Sequence, residues 1–185
     1  MIVVDVKLVE ISQTKMQKLG VSLTTFDGQQ IQKADGKLAF QQIPSAASTG
    51  FVEALLKNHL ARLVADPRIA AISGQEARLS VGSQSEASQA KAGANEQLGI
   101  ELQLTPTLLS DNRVQMDLFL KYSWQEKVKD NSETETQVRH FSLDTTLAST
   151  SRESSILSEL VPGSADTSFL VIVTPEVVES TAAAP

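Results

Sequence analysis

The chain has 185 residues, with 16 Lys and Arg against 22 Asp and Glu, a formal net charge of −6. That length suits one domain, and 41% hydrophobic with 21% charged residues is the composition of a folded chain. The acidic balance and only 4% aromatics exclude a broad phosphate-binding surface and a base-stacking platform, and the lack of cysteine removes disulfides, thiolate nucleophiles and Cys-ligated metals.

Met1 runs straight into a strand pattern, with no basic and apolar leader, so the expectation is that any targeting signal lies upstream of these residues. No apolar run approaches the roughly 20 residues of a spanning helix. Ile2, Val4, Val6 and Leu8 alternate with Asp5 and Lys7, which predicts a strand from Ile2 to Ile11. Ser12 is placed to cap a short helix carrying Met16 and Leu19 that stops at Gly20. A strand over Val21 to Phe26, a turn at Asp27-Gly28, a polar loop over Gln29 to Lys37 and a short strand over Leu38 to Ile43 follow. Pro44 to Thr49 reads as a linker of small residues.

The period then changes. Val52, Leu55, Leu56, His59, Leu60 and Leu63 recur at helical spacing, and Asp66-Pro67 ends the pattern because a residue before proline resists the helical region. Two strands are expected around Ser73-Gly74, over Arg68 to Ile72 and Glu76 to Val81. Gly82 to Gln97 is rich in Ser, Ala, Gln and Gly without apolar periodicity and predicts a loop or polar hairpin. Leu98 to Thr105 is a strand expected to stop at Pro106, and Pro67 and Pro175 are likewise expected at strand ends. Arg113 to Gln125 holds the cleanest alternation, with Val114, Met116, Leu118, Leu120, Tyr122 and Trp124 on one face. That row suits either packing inside the domain or a membrane strand with an aromatic girdle. Glu126 to Gln137 reads as a charged connector, and strands over Val138 to Ala148, Ser155 to Val161 and Ser168 to Val178 complete the set, with a turn at Pro162-Gly163. The expected fold class is a β-dominated α+β domain of about nine mostly antiparallel strands in two layers with one or two short helices. It occupies residues 1–180, and 181–185 form a disordered tail.

Catalytic chemistry has little to stand on. The only histidines, His59 and His140, fall on different predicted elements, and both read as packed or surface residues. Asp111-Asn112-Arg113 lacks calcium-loop spacing and reads as a two-residue turn joining strands. Asp5 and Glu10 do not form a carboxylate pair. No catalytic residue, metal or cofactor is expected.

The order of motifs resembles the C-terminal domain of secretins, the multimeric outer-membrane channels of type II and III secretion and type IV pili. Val4-Asp5-Val6-Lys7-Leu8-Val9-Glu10-Ile11 and Leu19-Gly20-Val21 are similar to the family's opening strand and its exit. Phe51 to Leu63 leading into Asp66-Pro67-Arg68-Ile69 resembles the helix and its proline stretch. Gly74 to Gly82, Leu98 to Pro106, Arg152 to Leu160 and Phe169 to Val178 resemble the later strands. The resemblance implies a structural subunit of a homo-oligomeric ring that passes a secreted protein or a pilus. It also implies possible membrane contact, a pilotin lipoprotein as escort, and a place in the outer membrane or periplasm of a Gram-negative-type bacterium. It places residues 83–97 at the gate, with Gly82, Ser83, Gln84, Ser85, Gly93 and Gly99 as gate-position residues whose flanking glycines give conformational freedom. Two departures stand out: the gate segment lacks the family's usual Val-Pro and Thr-Gly-Ser character, and the outer lip shrinks to a turn at Pro162 and Gly163. They leave open an alternative, a soluble secretin-derived periplasmic scaffold that forms no gated pore.

Overall fold

The computed structural model describes residues 1–18, 25–26, 29–30, 32–34, 38–84, 97–130, 133–161, 164 and 166–178. The predicted β-dominated α+β fold in two layers is what it shows. Thirteen strands and two helices lie among these residues, and every strand pairing is antiparallel. The strands are β1 (Ile2–Ser12), β2 (Thr25–Phe26), β3 (Gln29–Gln30), β4 (Gln32–Ala34), β5 (Leu38–Pro44), β6 (Ala61–Ala65), β7 (Arg68–Ala71), β8 (Ala77–Gln84), β9 (Gln97–Leu108), β10 (Arg113–Asp130), β11 (Glu133–Thr150), β12 (Glu153–Leu160) and β13 (Thr167–Val177). The first sheet runs β4-β5-β12-β13-β1-β6, with β7 also on β1; the second runs β11-β10-β9-β8; β2 and β3 form a small separate pair.

The two sheets face each other across one apolar core. Ile2, Val4, Val6 and Leu8 of β1, with Phe169, Val171 and Val173 of β13, meet Leu102, Leu104, Val114, Met116, Leu118, Leu120, Phe141 and Leu143 of the second sheet. The far face of the first sheet is divided. Over one half lies helix α2 (Ser45–Lys57), whose Val52 and Leu55 pack with Val9, Ile11, Ile43, Ile156, Leu170 and Ile172. Beyond the helix, the same face carries ion pairs instead: Lys7 with Asp66 at 2.7 Å, Arg68 with Asp5 at 3.4 Å and Arg152 with Glu176 at 3.0 Å.

Several expectations need correction. Helix α2 takes in the supposed linker from Ser45 and ends at Lys57, so Leu63 belongs to β6 and is exposed. The cause is His59, which adopts φ +55°. Leu60 N donates to Leu55 O at 3.0 Å and His59 N to Leu56 O at 3.1 Å, the bonding of a Schellman stop with histidine where glycine is usual. Helix α1 (Gln13–Lys18) does start at Ser12, whose Oγ accepts from Lys15 N at 3.3 Å, while Leu19 and Gly20 lie outside the described residues. Parts of the expected polar loop over Gln29 to Lys37 are strands β3 and β4.

Pro67 sits between β6 and β7 as expected, but Pro106 and Pro175 lie inside β9 and β13, in register with Met116 and Val4. Their carbonyls accept from Gly74 N and Arg152 N, each at 2.7 Å. A strand residue's N–H and C=O point the same way, so each missing donor faces a turn and costs the ladder nothing. The charged connector is also strand. Residues 126–130 pair with 133–137, extending the β10–β11 ribbon past the core, and Arg139 Nε bonds Glu126 at 3.0 Å. The link between β9 and β10 is longer than a two-residue turn: Leu109 N donates to Arg113 O at 2.8 Å, and Asn112 takes φ +64°, where hairpins of this kind favour glycine.

Candidate functional site

The second sheet is the candidate site, and its pleat gives it two unlike faces. Val114, Met116, Leu118 and Leu120 are buried against the first sheet. At the end of that row Tyr122 and Trp124 stack with ring centroids 5.2 Å apart and meet Phe169 edge-on at 5.9 and 5.7 Å. The opposite face is polar. One row across it runs Arg78, Gln103, Phe119 and Asp144, and the next runs Ser80, Glu101, Lys121 and Ser142.

Among the described residues no strand is paired to the outer side of β8 or of β11. Val81, on the core side of β8, is 57% exposed because the sheet ends there. Next to it stand the two glycines that flank the segment expected to be the gate, and they are direct partners: Gly82 pairs with Gly99, which pairs in turn with Ser123. Gly99 has φ +119°, and a Cβ on it would strike the Val81 carbonyl. A Cβ on Gly82 would strike the Leu98 carbonyl. Close approach of two strands requires glycine at both positions. Beyond them β9 and β10 part company, since their pairing ends at Gly99 and Ser123. Ser83 and Gln84 continue β8, in register with Leu98 and Gln97, and Ser85 and Gly93 lie outside the described residues.

Pro162 and Gly163 also lie outside them, as do residues 181–185, but the strands either side of the first pair, β12 and β13, are in register at Leu160 and Ser168. Asp166 ties this connection to the start of α1: its carboxylate accepts from Thr14 N at 2.6 Å and Ser12 Oγ at 2.7 Å. Those bonds, Thr14 first, hold the Asp166 carboxyl below the usual aspartate range. Hydrogen bonds from Arg113 and Arg78 do the same for Asp111 and Glu76. His59 closes α2 and His140 stands exposed on β11. Asp5 and Glu10 each face their own arginine, Arg68 and Arg62. Among the described residues no three His, Asp or Glu side chains gather as a metal site, and no helix is long and apolar enough to cross a membrane.

The family model of the secretins, bacterial type II and III secretion system proteins, matches residues 54–161, more than half of the chain. The chain belongs to the secretin family. Among solved secretin structures, it is similar to the type II secretin GspD of enteropathogenic Escherichia coli, at 17% identity and TM-score 0.52, covering 96% of this chain and 69% of that one. Aeromonas hydrophila ExeD gives 12% identity and TM-score 0.53 over 96% of this chain and 48% of its own. A pilotin–secretin complex, AspS with ETEC GspD, gives 14% and 0.52 over 97% and 50%. At these identities the likeness establishes the fold, and the chain spans about half to two-thirds of the secretins it matches. No curated protein sequence matches it.

The resemblance singles out residues 83–97 as a candidate gate, but not the residues that stand around their base. Lys121, Ser123 and His140 line a groove with Gly99 on the polar face. The signal available in sequence was a polar alternation running level with two glycines.

Proposed function

We propose that this domain forms the wall of a homo-oligomeric secretin channel, with β8 of one copy pairing to β11 of the next until the ring closes. The supporting observation is a pair of open edges on one even-numbered sheet. Four antiparallel strands per copy bring β8 and β11 together running in opposite directions, so the antiparallel pattern continues across each seam. The two edges are different surfaces, which gives head-to-tail contacts, and such contacts make a ring where the rotation per copy closes. Val81 would gain the cover it lacks in one copy. The channel would stand in the outer membrane of a Gram-negative-type bacterium and pass a secreted protein or a pilus. A pilotin lipoprotein is the expected escort, in line with the AspS–GspD complex. Residues 83–97 serve as the gate, with Gly82 and Gly99 at its base.

One observation favours the alternative, a soluble periplasmic scaffold without a gated pore: the apolar row of β10 is covered within a single copy, and the other face of that sheet is polar. Cysteine substitution separates the two readings, because the chain has no cysteine of its own. Arg78→Cys combined in turn with Ser142→Cys, Asp144→Cys and Thr146→Cys, all on the polar face, yields a ladder of cross-linked multimers in the channel reading. Detergent extracts of the full-length protein then show rings by negative-stain imaging. Monomers alone under every condition, with no cross-link from any pair, overturn it. In assembled rings, deleting Ser85 to Ala94 changes conductance and leaves the fold intact; unchanged conductance removes the gate assignment.

A further inference from the structure

The β10–β11 ribbon is longer than the sheet it belongs to. Gly82, Gly99, Ser123 and His140 lie in one row across the four strands, so β8, which ends at Gln84, runs out level with Val138. Residues 133–137 of β11 continue past that row, and among the described residues they pair only with 126–130. The core stops at Tyr122, Trp124 and Phe141, so packing within one copy does not explain the extra length.

The hand of the sheet decides what that length can meet. Pro106 lies on the core face, in register with Met116, and its carbonyl accepts from Gly74 on the β8 side. When a strand of L-residues runs upward and is seen from a residue's side-chain side, the N–H and C=O of that residue point right. Seen from the first sheet with β9 upward, the order from left to right is therefore β11, β10, β9, β8. Neighbouring strands twist by about −20 to −25°, and a barrel closed with that hand has strands that climb to the right on its outer surface. At a tilt of about 35°, four strands spaced about 4.8 Å apart set each copy about four residues along the strand from the last. With the first sheet outside, this displacement moves β8 toward the lower-numbered residues of the neighbouring β11. With the polar face outside, it moves β8 the other way and leaves 133–137 without use.

We propose that the overhang receives the next copy: β8 pairs with residues 134–141 of the neighbouring β11, at a stagger of about four residues. Arg78 then stands opposite the partner's His140 and Ser80 opposite the partner's Val138. Gln84 still falls inside the ribbon. The polar face, with Asp117 and Asp144, lines the lumen. This pairing rests on the ring reading above and fixes its register and its inner face.

Disulfide cross-linking of the full-length protein, oxidised in the envelope before extraction, tests it. Arg78→Cys with His140→Cys gives the strongest ladder of multimers, and Ser80→Cys with Val138→Cys, in the same register, gives a second. Of the pairs used above, Ser142→Cys is the nearest, one step along the same face, and gives a weaker ladder. Thr146 lies about 20 Å further along β11 than His140 and gives at least about tenfold less product. Rings that link best at Asp144 have no stagger, and rings that link best at Ala148 have the opposite sense. Either result, a best link at Ser142 or Thr146, or rings with no link from the two staggered pairs, overturns the inference and leaves the ring standing. Monomers alone under every condition overturn both.

Discussion

The two sheets use the same alternating pattern to different ends. In the first sheet β1 and β13 are buried on both sides, by the facing sheet and in part by α2, so that Val9 and Ile11 are as enclosed as Val4 and Val6. In the second sheet each strand keeps one polar face, and no helix of the described residues covers it. A strand buried on both faces is fixed within its own copy. A sheet with one wet face and two open edges can still lengthen sideways without disturbing its core.

Cutting into the shared core tests that contrast hardest. Leu118→Ala removes a side chain that is 1% exposed and costs about 3 kcal/mol; Val9→Ala on the helix-covered face costs about 2 kcal/mol. Asp117→Ala, the neighbour of Leu118 on the polar face, changes stability by less than about 1 kcal/mol despite losing its bond from Thr146. Urea unfolding midpoints of the three variants give the comparison directly. Equal losses at Leu118 and Asp117 would mean the two faces are not distinct.

Next in size is Gly99→Ala, which sets a Cβ against the Val81 carbonyl at φ +119°. A cost of about 2 kcal/mol follows, confined to the second sheet. Hydrogen exchange reads it as faster exchange at β8 and the neighbouring end of β9, with β1 and β13 protected as before.

A smaller effect of opposite sign is expected at the edge of the first sheet. His59→Gly relieves a left-handed residue and stabilises the fold by about 1 kcal/mol, seen as a higher melting temperature.

The smallest effect is the acid response of the connection between β12 and β13. Asp166 titrates below the ordinary aspartate range in the folded chain. Its contribution is therefore complete above the unfolded-state value and is lost as pH falls through the folded one. Between pH 5 and pH 2 the unaltered protein should lose slightly more stability than Asp166→Asn. An identical loss in both would remove Asp166 from the acid response.

How much of this was written in the sequence depends on how many partners a residue has. The row from Val114 to Trp124 was readable because β10 has one dry face, so period two appears undiluted. The α2–β6 boundary was not, since Leu60 and Leu63 continue a helical spacing across a stop made by His59, a residue with no strong preference for that role. Pro106 and Pro175 misled because a proline stops a strand only when its nitrogen faces a neighbour. The charges of residues 126–137 suggested a connector, yet β10 and β11 hold each other there without needing a core. Residues 83–97 were singled out as a candidate gate through family likeness alone. The groove was not, because Val81, Glu101, Lys121 and His140 lie about twenty residues apart and meet only through strand register.

The two prolines carry a consequence for crowding. At Pro106, β9 has outrun β8, and at Pro175, β13 has outrun its pairing with β12. The turns carrying Gly74 and Arg152 close over those stretches by donating to the proline carbonyls, and a ring nitrogen with no hydrogen to offer asks for no acceptor there. A stray chain therefore finds little to pair with at that end of the sandwich, in contrast to the outer sides of β8 and β11, which have no strand partner among the described residues.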